Sequence, residues 1–434
     1  MKKNVVIIYG SKSTEHDISV LSALQIYNAI DKSRYSVDLI YIGHNGKWFL
    51  GDKLANIKSY LNFNKKGLKR VTILPGDDFL YLQKIGGFRR LKKVDCAVLS
   101  LHGKNGEDGT IQGLLELSNI PYTSSGVLGS AVSLDKITMK MLFKQNKISI
   151  TDYCYLTKEE YENESFNIET ITQKICFPVV VKPNSLGSSI GISIATNLEE
   201  LFEGLKLAFL FDEKAIIEKK VDNLKEVNIA VLGSGKDCIL SETEEVKNGS
   251  GILSFEKKYL NSNPTKKVKN DENFNKNIEI YEKNEEKTQK NCNFNEILQN
   301  SNIKEINNNG IKIGTLCKNG MQNLGRIIPA NITETQKSQI EKMAKKIFEI
   351  TNSKGVVRID FMIDQKSKKV YANEINTIPG SFAFYLWNGL GLDFEKLADR
   401  LISIAIEEHN KKQKLISVFN SSVLGDNQPN GFKS

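Results

Sequence analysis

Residues 355–380 have the sequence GVVRIDFMIDQKSKKVYANEINTIPG, which predicts two short strands joined by a polar turn. Apolar residues of the first strand alternate with Arg358 and Asp360, the period-two pattern of a strand with one buried face. The same alternation in the second strand puts Glu374 and Asn376 together on one face. If QKSKK forms the turn, Asp360 lies opposite Glu374 and Arg358 lies opposite Asn376.

The pairing of Asp360 with Glu374 indicates a cation site. Two carboxylates that face each other across a sheet repel, so this pairing does not stabilise the hairpin by itself. The candidate ligands are all oxygens, with no histidine or cysteine nearby in the sequence, which favours Mg2+ bound together with a phosphate ligand. The alternative is an ordinary exposed hairpin, whose outward residues are polar by default, but the continuation into Ile378-Pro379-Gly380 favours the cation site.

Length and composition restrict the class of protein. The chain has 434 residues, 40% of them hydrophobic, which predicts two or three domains with cores of normal size. The first apolar run is too short for a signal peptide and no later run would span a membrane, so we expect a soluble, cytoplasmic protein. Six cysteines without paired spacing indicate reduced thiols: Cys96, Cys154, Cys176, Cys238, Cys292 and Cys317.

The net charge of +9 is spread thinly along the chain. Small basic groups lie at 65–70 and 89–93, without the aromatic interleaving that is typical of nucleic-acid-binding surfaces. An ordinary solvated surface is the favoured interpretation, and attraction of anionic substrates is the alternative.

The N-terminal part begins with a strand, a loop and a helix. Residues 4–9 form an apolar strand that breaks at Gly10, and helical spacing of apolar residues follows from Ser19. Thr14 is the candidate helix cap. The helix dipole is a sufficient structural reason for Glu15, so the pattern alone assigns it no function.

Two further strands predict that this part contains a parallel sheet. They cover residues 37–41 and 95–101, and each ends in a polar loop, as parallel sheets with a site at the strand ends require. The second is followed by HGKNGEDG at 102–109, which precedes a helix predicted over 110–119. Its three glycines allow the backbone to approach a ligand closely.

The middle of the chain carries two lysines in different settings. A helix predicted from residue 132 to about 145 carries Lys136 on an ordinary surface. A strand at 179–181 leads to Lys182, and the loop 183–191 offers amides and hydroxyls that can wrap phosphates, although a Gly/Ser hairpin without a ligand is the alternative. The loop lacks the Gly-Lys-Ser/Thr sequence of a Walker motif.

The C-terminal half combines predicted strands and helices with a segment of different composition. Glu218 and Glu226 could hold a base and a ribose, or could face water. Residues 261–320 contain sixteen asparagines and ten lysines and resemble a disordered, polar insert. Amphipathic helices are predicted at 334–351 and 394–409, the second followed by a polar tail.

Taken together, seven stretches resemble the D-alanine–D-alanine ligase family of the ATP-grasp superfamily. They occur in the family's order with family-like spacing, and the resemblance covers about residues 4–260 and 326–410. The stretches are GSKSTEHDIS, HGKNGEDG, the Asp135-Lys136 pair, VVVKPNSLGSSIG, IIEKK, EKKYL, and RIDFMID with NEINTIPG.

The resemblance implies an α/β fold, in which an N-terminal Rossmann-like parallel-sheet domain is followed by a two-lobed α+β ATP-grasp domain. The implied boundaries are 1–125 for the N-terminal domain, 126–212 for the central lobe and 213–412 for the C-terminal lobe. The C-terminal lobe is interrupted by the insert at about 261–320, and the polar tail is 413–434.

The nucleotide-binding residues implied by the resemblance fall into three groups. They are similar to the lysines that hold the ATP phosphates, to the hinge near adenine, and to the ribose ligand. In that order they are Lys136 and Lys182; Glu218, Lys219 and Val221; and Glu226.

The resemblance also implies the metal ligands and the groups that stabilise the transition state. Asp360, Glu374 and Asn376 match the family's Mg2+ ligands, in agreement with the argument from the hairpin. Arg358 and the backbone of Gly380 look like the groups that stabilise the oxyanion, where preorganised donors contribute most.

Three residues resemble the family's binding site for the first D-alanine. Glu15 is similar to the carboxylate that accepts its ammonium group, and Ser188 and Tyr259 are similar to partners in a loop-closing hydrogen-bond network. The implied chemistry is ATP-dependent formation of D-alanyl-D-alanine for peptidoglycan through an acyl phosphate, with two Mg2+ or Mn2+ ions. The implied partners are ATP and D-alanine, with a homodimer and neither nucleic acid nor membrane.

Two departures from the family bear on the substrate. The insert follows EKKYL directly, where the family has a loop that closes over the site, so closure is expected to differ. Tyr385 stands where the family has a small hydroxylated residue that binds the acceptor carboxylate. Either the Tyr385 phenol replaces that hydroxyl, or Ser381 does, or the ring packs in an aromatic core and the acceptor differs.

Two rival functions follow from these departures. One is a ligase that joins D-alanine to D-serine, D-lactate or another amino acid. The other is a nucleotide-binding protein without ligase activity. The presence of Arg358 together with all three predicted metal ligands argues against the second.

Overall fold

Three β-sheets contain the strands of the computed structural model, which describes residues 2–166, 171, 175–246 and 326–418. The strands are β1 (Lys3–Gly10), β2 (Tyr35–Ile42), β3 (Trp48–Leu50), β4 (Lys69–Ile73), β5 (Phe79–Lys84), β6 (Gly87–Lys93), β7 (Cys96–Ser100), β8 (Tyr153–Thr157), β9 (Val179–Pro183), β10 (Ser193–Ala195), β11 (Lys214–Lys219), β12 (Leu224–Ser234), β13 (Asp237–Val246), β14 (Arg326–Ile327), β15 (Lys354–Asp364) and β16 (Val370–Asn376).

Helices pack against these sheets, and each hydrophobic core lies between a sheet and its helices. The helices of the described residues are α1 (His16–Ala29), α2 (Lys58–Leu61), α3 (Thr110–Leu117), α4 (Val127–Leu134), α5 (Lys136–Gln145), α6 (Lys158–Glu162), α7 (Leu198–Phe209), α8 (Glu334–Ile350) and α9 (Phe394–Gln413). In that part of the chain, no helix combines the length and the apolar character that crossing a membrane requires.

The N-terminal sheet has the order β6-β5-β4-β3-β2-β1-β7. Strand β1 pairs in parallel with both β2 and β7, which confirms the predicted parallel strands and places them at one end of the sheet. Strands β3 to β6 extend the sheet as antiparallel neighbours. The connections 43–47, 74–78 and 85–86 are too short for the crossover of a dozen or more residues that a parallel pair requires, whereas β3 and β4 are antiparallel across the longer connection 51–68, which contains α2.

Helix α1 begins earlier than the apolar spacing predicts. It starts at His16, with Glu15 in the capping position, and its first turn buries the polar residues His16 and Ser19. The predicted cap, Thr14, is therefore wrong, because it lies outside the helix boundary. Glu15 makes no side-chain capping bond either, and its carboxylate is used elsewhere.

The helix predicted over 132–145 is two helices. Asp135 separates α4 from α5 with an extended backbone (φ −75°, ψ 100°), and its carboxylate accepts from Thr138 N at 2.8 Å. Asp135 therefore caps α5 and re-aims the chain. As a result Lys136 is 6% exposed, so the prediction that it lies on an ordinary surface is wrong.

The central sheet has the order β10-β9-β11-β8 and is antiparallel throughout. Lys182 on β9 pairs with Ile216 on β11, two residues before Glu218. Because side chains alternate along a strand, Lys182 and Glu218 share one face of this sheet.

The C-terminal sheet has the order β14-β13-β12-β15-β16 and contains the predicted hairpin. Its register is the predicted one, with Arg358 opposite Asn376 and Asp360 opposite Glu374. The alternating apolar residues of β15 pack with α8 in one core, so the polar residues occupy the other face.

Strand β16 contains a bulge that strict alternation did not predict. The register shifts between Asp360 and Phe361, whose partners are Glu374 and Ala372, so Asn373 is the extra residue. Ala372 and Ile375 are both buried, and the two residues between them are not.

The predicted insert 261–320 lies outside the described residues, as does Tyr259. The polar tail predicted at 413–434 is described only as far as residue 418. The domain boundaries at 125 and 212 remain predictions.

Candidate active site

A row of polar side chains crosses the C-terminal sheet. Glu244 pairs with Asn228, Asn228 pairs with Asp360, and Asp360 pairs with Glu374, on four neighbouring strands. Directly paired residues project to the same side of a sheet, so these four side chains line one face. Glu244 is 1% exposed, and the sequence pattern did not single it out.

Arg358 and Asp360 form a bidentate ion pair within this face. Arg358 Nε donates to Asp360 Oδ1 at 2.7 Å, and Nη2 donates to Oδ2 at 2.8 Å. Burial opposes the charge of Arg358, but Asp360 outweighs it and holds the Arg358 pKa well above its usual range. Asn376 Nδ2 donates to Asp360 Oδ2 at 3.3 Å, which joins the second predicted strand to the pair.

Lys136 provides the second cation of the site. Its Nζ donates to the carbonyl of Leu186 at 2.7 Å and lies 4.0 Å from Glu374 Oε2. Arg358 and Lys136 therefore offset the repulsion between the facing carboxylates Asp360 and Glu374. The facing carboxylates alone therefore do not require a metal ion. The full set of oxygen ligands, Asp360, Glu374 and Asn376, is what favours one.

Glu15 lies where loops of two different parts of the chain meet. The Ser188 hydroxyl donates to Glu15 Oε1, so these two predicted residues are in contact. A Cβ atom at Gly187 would lie 2.8 Å from Glu15 Oε2, and one at Gly103 would lie 2.7 Å from the same oxygen. Gly103 also has φ +69°, so glycine is required there for both space and conformation.

One cavity brings the predicted residues together. Its lining includes side chains or backbone from the N-terminal loops, from α5, from the loop after β9 and from β16. Among these residues are Glu15, Glu107, Lys136, Gly187, Glu374 and Asn376. The structure therefore joins stretches that are about 360 residues apart in the chain.

Glu107 is a residue of this cavity that received no role from the sequence. Its carboxylate accepts from Gly103 N at 2.9 Å and from Ile378 N at 2.8 Å, which links the HGKNGEDG loop to the loop after β16. Burial, and then the charge of Glu15, raise the Glu107 pKa to about 7. The sequence feature that could have indicated a role for Glu107 is its position in a glycine-rich loop after a buried strand.

His102, at the start of the same loop, is buried and neutral. Burial lowers its pKa to about 4, against a hydrogen bond with the backbone of Ile378. Its Nε2 lies 3.1 Å from Ser22 Oγ, and that hydroxyl oxygen accepts from Ser381 N at 3.0 Å. These bonds tie helix α1 and the N-terminal loop to the turn after Pro379.

A buried charge cluster surrounds Glu218. Lys140 Nζ and Lys182 Nζ each lie 3.3 Å from the Glu218 carboxylate, and the Thr151 hydroxyl donates to Oε2 at 3.1 Å. Burial opposes ionisation of Glu218, but the two lysines outweigh it and lower its pKa to about 2. Lys182 also donates to Asn373 Oδ1 at 3.4 Å, so the bulge of β16 reaches this cluster.

The other predicted nucleotide residues lie just beyond this cluster in the chain. Lys219 ends β11, and its backbone N–H donates to Asp152 O at 2.9 Å. Val221 is half-buried after that strand, and Glu226 lies half-buried on β12 opposite Met362.

The turn after Pro379 has an unusual backbone. Gly380 begins a 3₁₀ segment, and Ser381, Phe382 and Ala383 all have left-handed φ values between 50° and 56°. A left-handed conformation costs about 1–2 kcal/mol for each residue with a side chain. Phe382 and Ala383 are buried in the core, which offsets that cost.

Tyr385 follows this turn and is half-buried. Its hydroxyl donates to Glu244 Oε2 at 3.1 Å, and the Arg326 guanidinium lies 4.6 Å from its ring centre. The ring packs against a hydrophobic core that contains residues of the N-terminal sheet together with Phe382 and Leu386, as the aromatic-core alternative predicted. Binding of the acceptor carboxylate by Tyr385 or Ser381 remains a prediction.

Most of the chain matches two family models. A family model described as D-ala D-ala ligase N-terminus matches residues 4–125, and one described as D-ala D-ala ligase C-terminus matches residues 142–290 and 278–403. A D-alanine–D-alanine ligase of Thermosipho melanesiensis is 34% identical over 419 residues, which is 96% of either chain.

Solved structures show the same likeness. The D-alanine-D-alanine ligase from Coxiella burnetii is 26% identical with a TM-score of 0.69, covering 96% of this chain and 97% of that one. The VanG D-Ala:D-Ser ligase from Enterococcus faecalis is 25% identical with a TM-score of 0.68, covering 93% of this chain and 100% of that one.

Proposed function

The chain belongs to the D-alanine–D-alanine ligase family, and on that premise we propose that it is an ATP-dependent ligase that forms D-alanyl-D-alanine for peptidoglycan. The observation that carries the proposal is the single cavity lined by Glu15, Lys136, Glu374 and Asn376. It combines an anionic site for an ammonium group with a cation for phosphates and oxygen ligands for metal ions.

The first D-alanine binds with its ammonium group at Glu15. That carboxylate is buried, and the Ser188 hydroxyl and two glycines hold it in place. The D-alanine carboxylate then attacks the γ-phosphate of ATP, which yields an acyl phosphate and ADP. Tyr259 is proposed as a further member of this network on the family resemblance alone.

The amine of the second D-alanine attacks the acyl carbon, and the tetrahedral intermediate expels inorganic phosphate. Arg358 and the backbone of Gly380 stabilise the negative oxygen that develops in this step. Arg358 suits this role because Asp360 holds its guanidinium at two points, so little reorganisation is needed. Closure of the site excludes water that would hydrolyse the acyl phosphate.

ATP fits the cluster around Glu218. Glu218 Oε1 is buried and pairs with Lys182 Nζ at 3.3 Å, without a well-aligned hydrogen bond among the described residues. It can therefore accept one more hydrogen bond, and the exocyclic amine of adenine is a suitable donor. The proposed contacts are Glu218, Lys219 and Val221 for the base, Glu226 for the ribose, and Lys136 and Lys182 for the phosphates.

Magnesium or manganese fits the oxygen ligands of the hairpin. Asp360, Glu374 and Asn376 offer only oxygens, and because Asn376 donates its Nδ2 to Asp360, its amide oxygen remains the atom for a cation. Two bound ions would neutralise the charge that gathers between the phosphate groups.

The proposal extends to the organisation of the protein. The domain boundaries are 1–125, 126–212 and 213–412, and the protein acts as a homodimer. ATP is a cytoplasmic metabolite, so the proposed place of action is the cytoplasm.

Phosphate release from ATP tests the function, with D- and L-amino acids supplied singly and in pairs and the products identified by mass spectrometry. D-alanine alone should give ADP, phosphate and D-alanyl-D-alanine in equal amounts, and L-alanine should give none. Adding D-serine or D-lactate tests the other acceptors. Phosphate release without dipeptide, or no turnover with D-alanine, would contradict the proposal.

A further inference from the structure

Ser133 has a buried hydroxyl group in the candidate active site. The residue is 4% exposed and lines the cavity that also contains Glu15, Lys136 and Glu374. Among the described residues, none donates a hydrogen bond to its Oγ or accepts one from it. Buried polar groups normally have a partner, so this hydroxyl is a candidate for a contact with substrate.

The Ser133 hydroxyl does not form the bond that a hydroxyl near a helix end can make within its own helix. The Ser118 hydroxyl donates to Leu114 O at 2.8 Å, and the Thr351 hydroxyl donates to Ile347 O at 2.7 Å, in each case the carbonyl four residues earlier. Ser133 lies in the last turn of α4 and makes no such bond. Its proton therefore remains available for a ligand.

Close packing of α4 holds Ser133 in this position. Gly129 lies one helical turn earlier on the same buried face, and a Cβ atom there would lie 2.8 Å from Thr351 O. The absence of a side chain at Gly129 lets α4 approach residues 351–352. The chain then turns at Asp135, and Lys136 reaches the same cavity from α5. A neutral hydrogen-bond donor and a cation therefore enter the cavity from two helices.

The donor D-alanine would bring a carboxylate into this cavity. Its ammonium group is proposed to lie at Glu15, and its carboxylate is attached to the same carbon, so both groups lie in one cavity. The charge of Glu15 repels that carboxylate, which makes hydrogen-bond donors necessary. Two other lining side chains already donate elsewhere, since the Thr377 hydroxyl donates to Glu107 at 3.5 Å and Asn376 Nδ2 donates to Asp360 at 3.3 Å.

We infer that the Ser133 hydroxyl donates a hydrogen bond to the carboxylate of the donor D-alanine, the group that attacks the γ-phosphate of ATP. This inference deepens the proposed ligase function and rests on it. Ser133 and Lys136 together offset the charge of the carboxylate inside the cavity. The hydrogen bond also fixes the orientation of the carboxylate for its attack on phosphorus, and such positioning is a large part of catalysis.

Formation of D-alanyl hydroxamate tests the role of Ser133 toward the donor alone. Hydroxylamine at high concentration replaces the second D-alanine: its nitrogen bonds to the acyl carbon of the acyl phosphate, and inorganic phosphate leaves. We expect Ser133→Ala to raise the KM for D-alanine at least about tenfold, the size of one hydrogen bond to a charged group, and to leave the KM for ATP within about twofold. An unchanged KM for D-alanine, or an equal rise in the KM for ATP, would overturn the inference.

Ser193→Ala is the matched control, because the Ser193 hydroxyl is also buried without a partner among the described residues. Ser193 on β10 pairs with Val181, so its side chain lies on the face of the central sheet opposite to that of Lys182. A Cβ atom at Gly204 would clash with its Oγ, so this hydroxyl faces α7. Both KM values should stay within about twofold of the parent values. A rise in the KM for D-alanine equal to that in Ser133→Ala would overturn the inference.

Thermal unfolding without ligands tests whether the Ser133 hydroxyl has a partner within the fold. Removing a buried hydroxyl that has no partner breaks no hydrogen bond, so Ser133→Ala and Ser193→Ala should melt at least as high as the parent. Ser130→Ala gives the contrast in the same helix, because the Ser130 hydroxyl donates to Ser125 O at 3.2 Å, and it should lower the melting temperature. A melting temperature that falls as far in Ser133→Ala as in Ser130→Ala would overturn the inference.

The parent enzyme distinguishes this inference from the function on which it rests. A parent that forms the dipeptide, with KM values insensitive to Ser133→Ala, refutes the inference alone. If the parent forms the dipeptide but no hydroxamate, the same comparison is made with phosphate release during dipeptide synthesis and the same criteria apply. A parent that forms neither product refutes the proposed function and the inference with it.

Discussion

Replacing Glu107 by glutamine should change how the stability of the fold depends on pH. Glu107 is 8% exposed, and its carboxyl group has a pKa of about 7 instead of its ordinary 4.5 because of burial and then the charge of Glu15. Between those pH values the folded protein holds a proton that the unfolded chain has released. The free energy of unfolding therefore falls as pH rises from 4.5 to 7.

The size of this effect follows from the pKa values. A difference of one pKa unit corresponds to about 1.4 kcal/mol, so the gap at Glu107 amounts to about 3 kcal/mol. The contribution is complete below the ordinary pKa of 4.5 and is lost above about 7. Both Glu107 oxygens accept backbone N–H bonds, so the glutamine amide adds a mismatch, but that penalty is independent of pH.

His102 produces an effect of the opposite sign in nearly the same window. Its pKa is lowered from 6.5 to about 4 by burial, so the unfolded chain binds a proton that the folded protein does not. The free energy of unfolding then rises with pH across that window, again by about 3 kcal/mol. In the parent protein the two contributions nearly cancel, and the pH profile should be flat.

Denaturant unfolding of the parent and Glu107→Gln at several values between about pH 4.5 and 7.5 gives the measurement. The variant should gain about 3 kcal/mol relative to the parent across this range, because only the His102 contribution remains. His102→Gln should show the mirror image and lose stability relative to the parent as pH rises. Parallel profiles of parent and Glu107→Gln would refute the reasoning, since Glu107 would then be ionised throughout.

Three more substitutions test the site. Glu374→Gln should lower kcat by at least about 100-fold with an unchanged melting temperature, because it removes a proposed metal ligand; phosphate release within about threefold of the parent would contradict that role. Lys140→Met should raise the KM for ATP about tenfold and leave the KM for D-alanine alone, since Lys140 lies 3.3 Å from Glu218; an equal rise in both constants would refute a role in positioning Glu218. Gly187→Ala should raise the KM for D-alanine without affecting that for ATP, because its Cβ would lie 2.8 Å from Glu15 Oε2; unchanged donor kinetics would show that Glu15 does not bind the donor.

The register of the hairpin was predictable because a strand has a period of two residues. Because one face of the hairpin is apolar, a shift of the register by one residue would bury all the polar side chains of that strand in the core. No other register that pairs these strands is therefore close in free energy to the one that pairs Asp360 with Glu374. The bulge at Asn373 was not predictable in this way. A bulge inserts one residue into the alternation, and the sequence YANEIN does not indicate which residue is inserted.

The burial of Lys136 was missed for a related reason. The apolar spacing continues through Asp135 and therefore predicts one long helix. In the structure, α4 ends at that position and the Asp135 carboxylate caps the second helix, α5. A cap inside an apparently continuous pattern competes with helix propensity, and only tertiary packing decides between them. Here Asn184 Nδ2 donates to Asp135 at 2.7 Å and supplies that packing.

The contacts among Arg326, Glu244 and Tyr385 could not be predicted from the sequence, because these residues are far apart in the chain. Glu244 and Glu245 are adjacent in the chain, and only the pairing of β13 with β12 shows that Glu244 shares a face with Asp360. Arg326 follows the predicted insert, some 80 residues after its ionic partner. Contacts between distant segments are set by sheet pairing, which a single sequence with local patterns does not reveal.

The charges of the site are paired with one another, and this pairing bears on how substrates bind. Asp360 is held by Arg358, and Glu374 lies near Lys136. A buried charge without a partner would be costly, so these pairs keep the site in shape. On the proposed function, Lys136 would exchange Glu374 for a phosphate oxygen of ATP, and Glu374 would exchange Lys136 for a metal ion. Each group would then keep an opposite charge beside it, so binding would leave no buried charge without a partner.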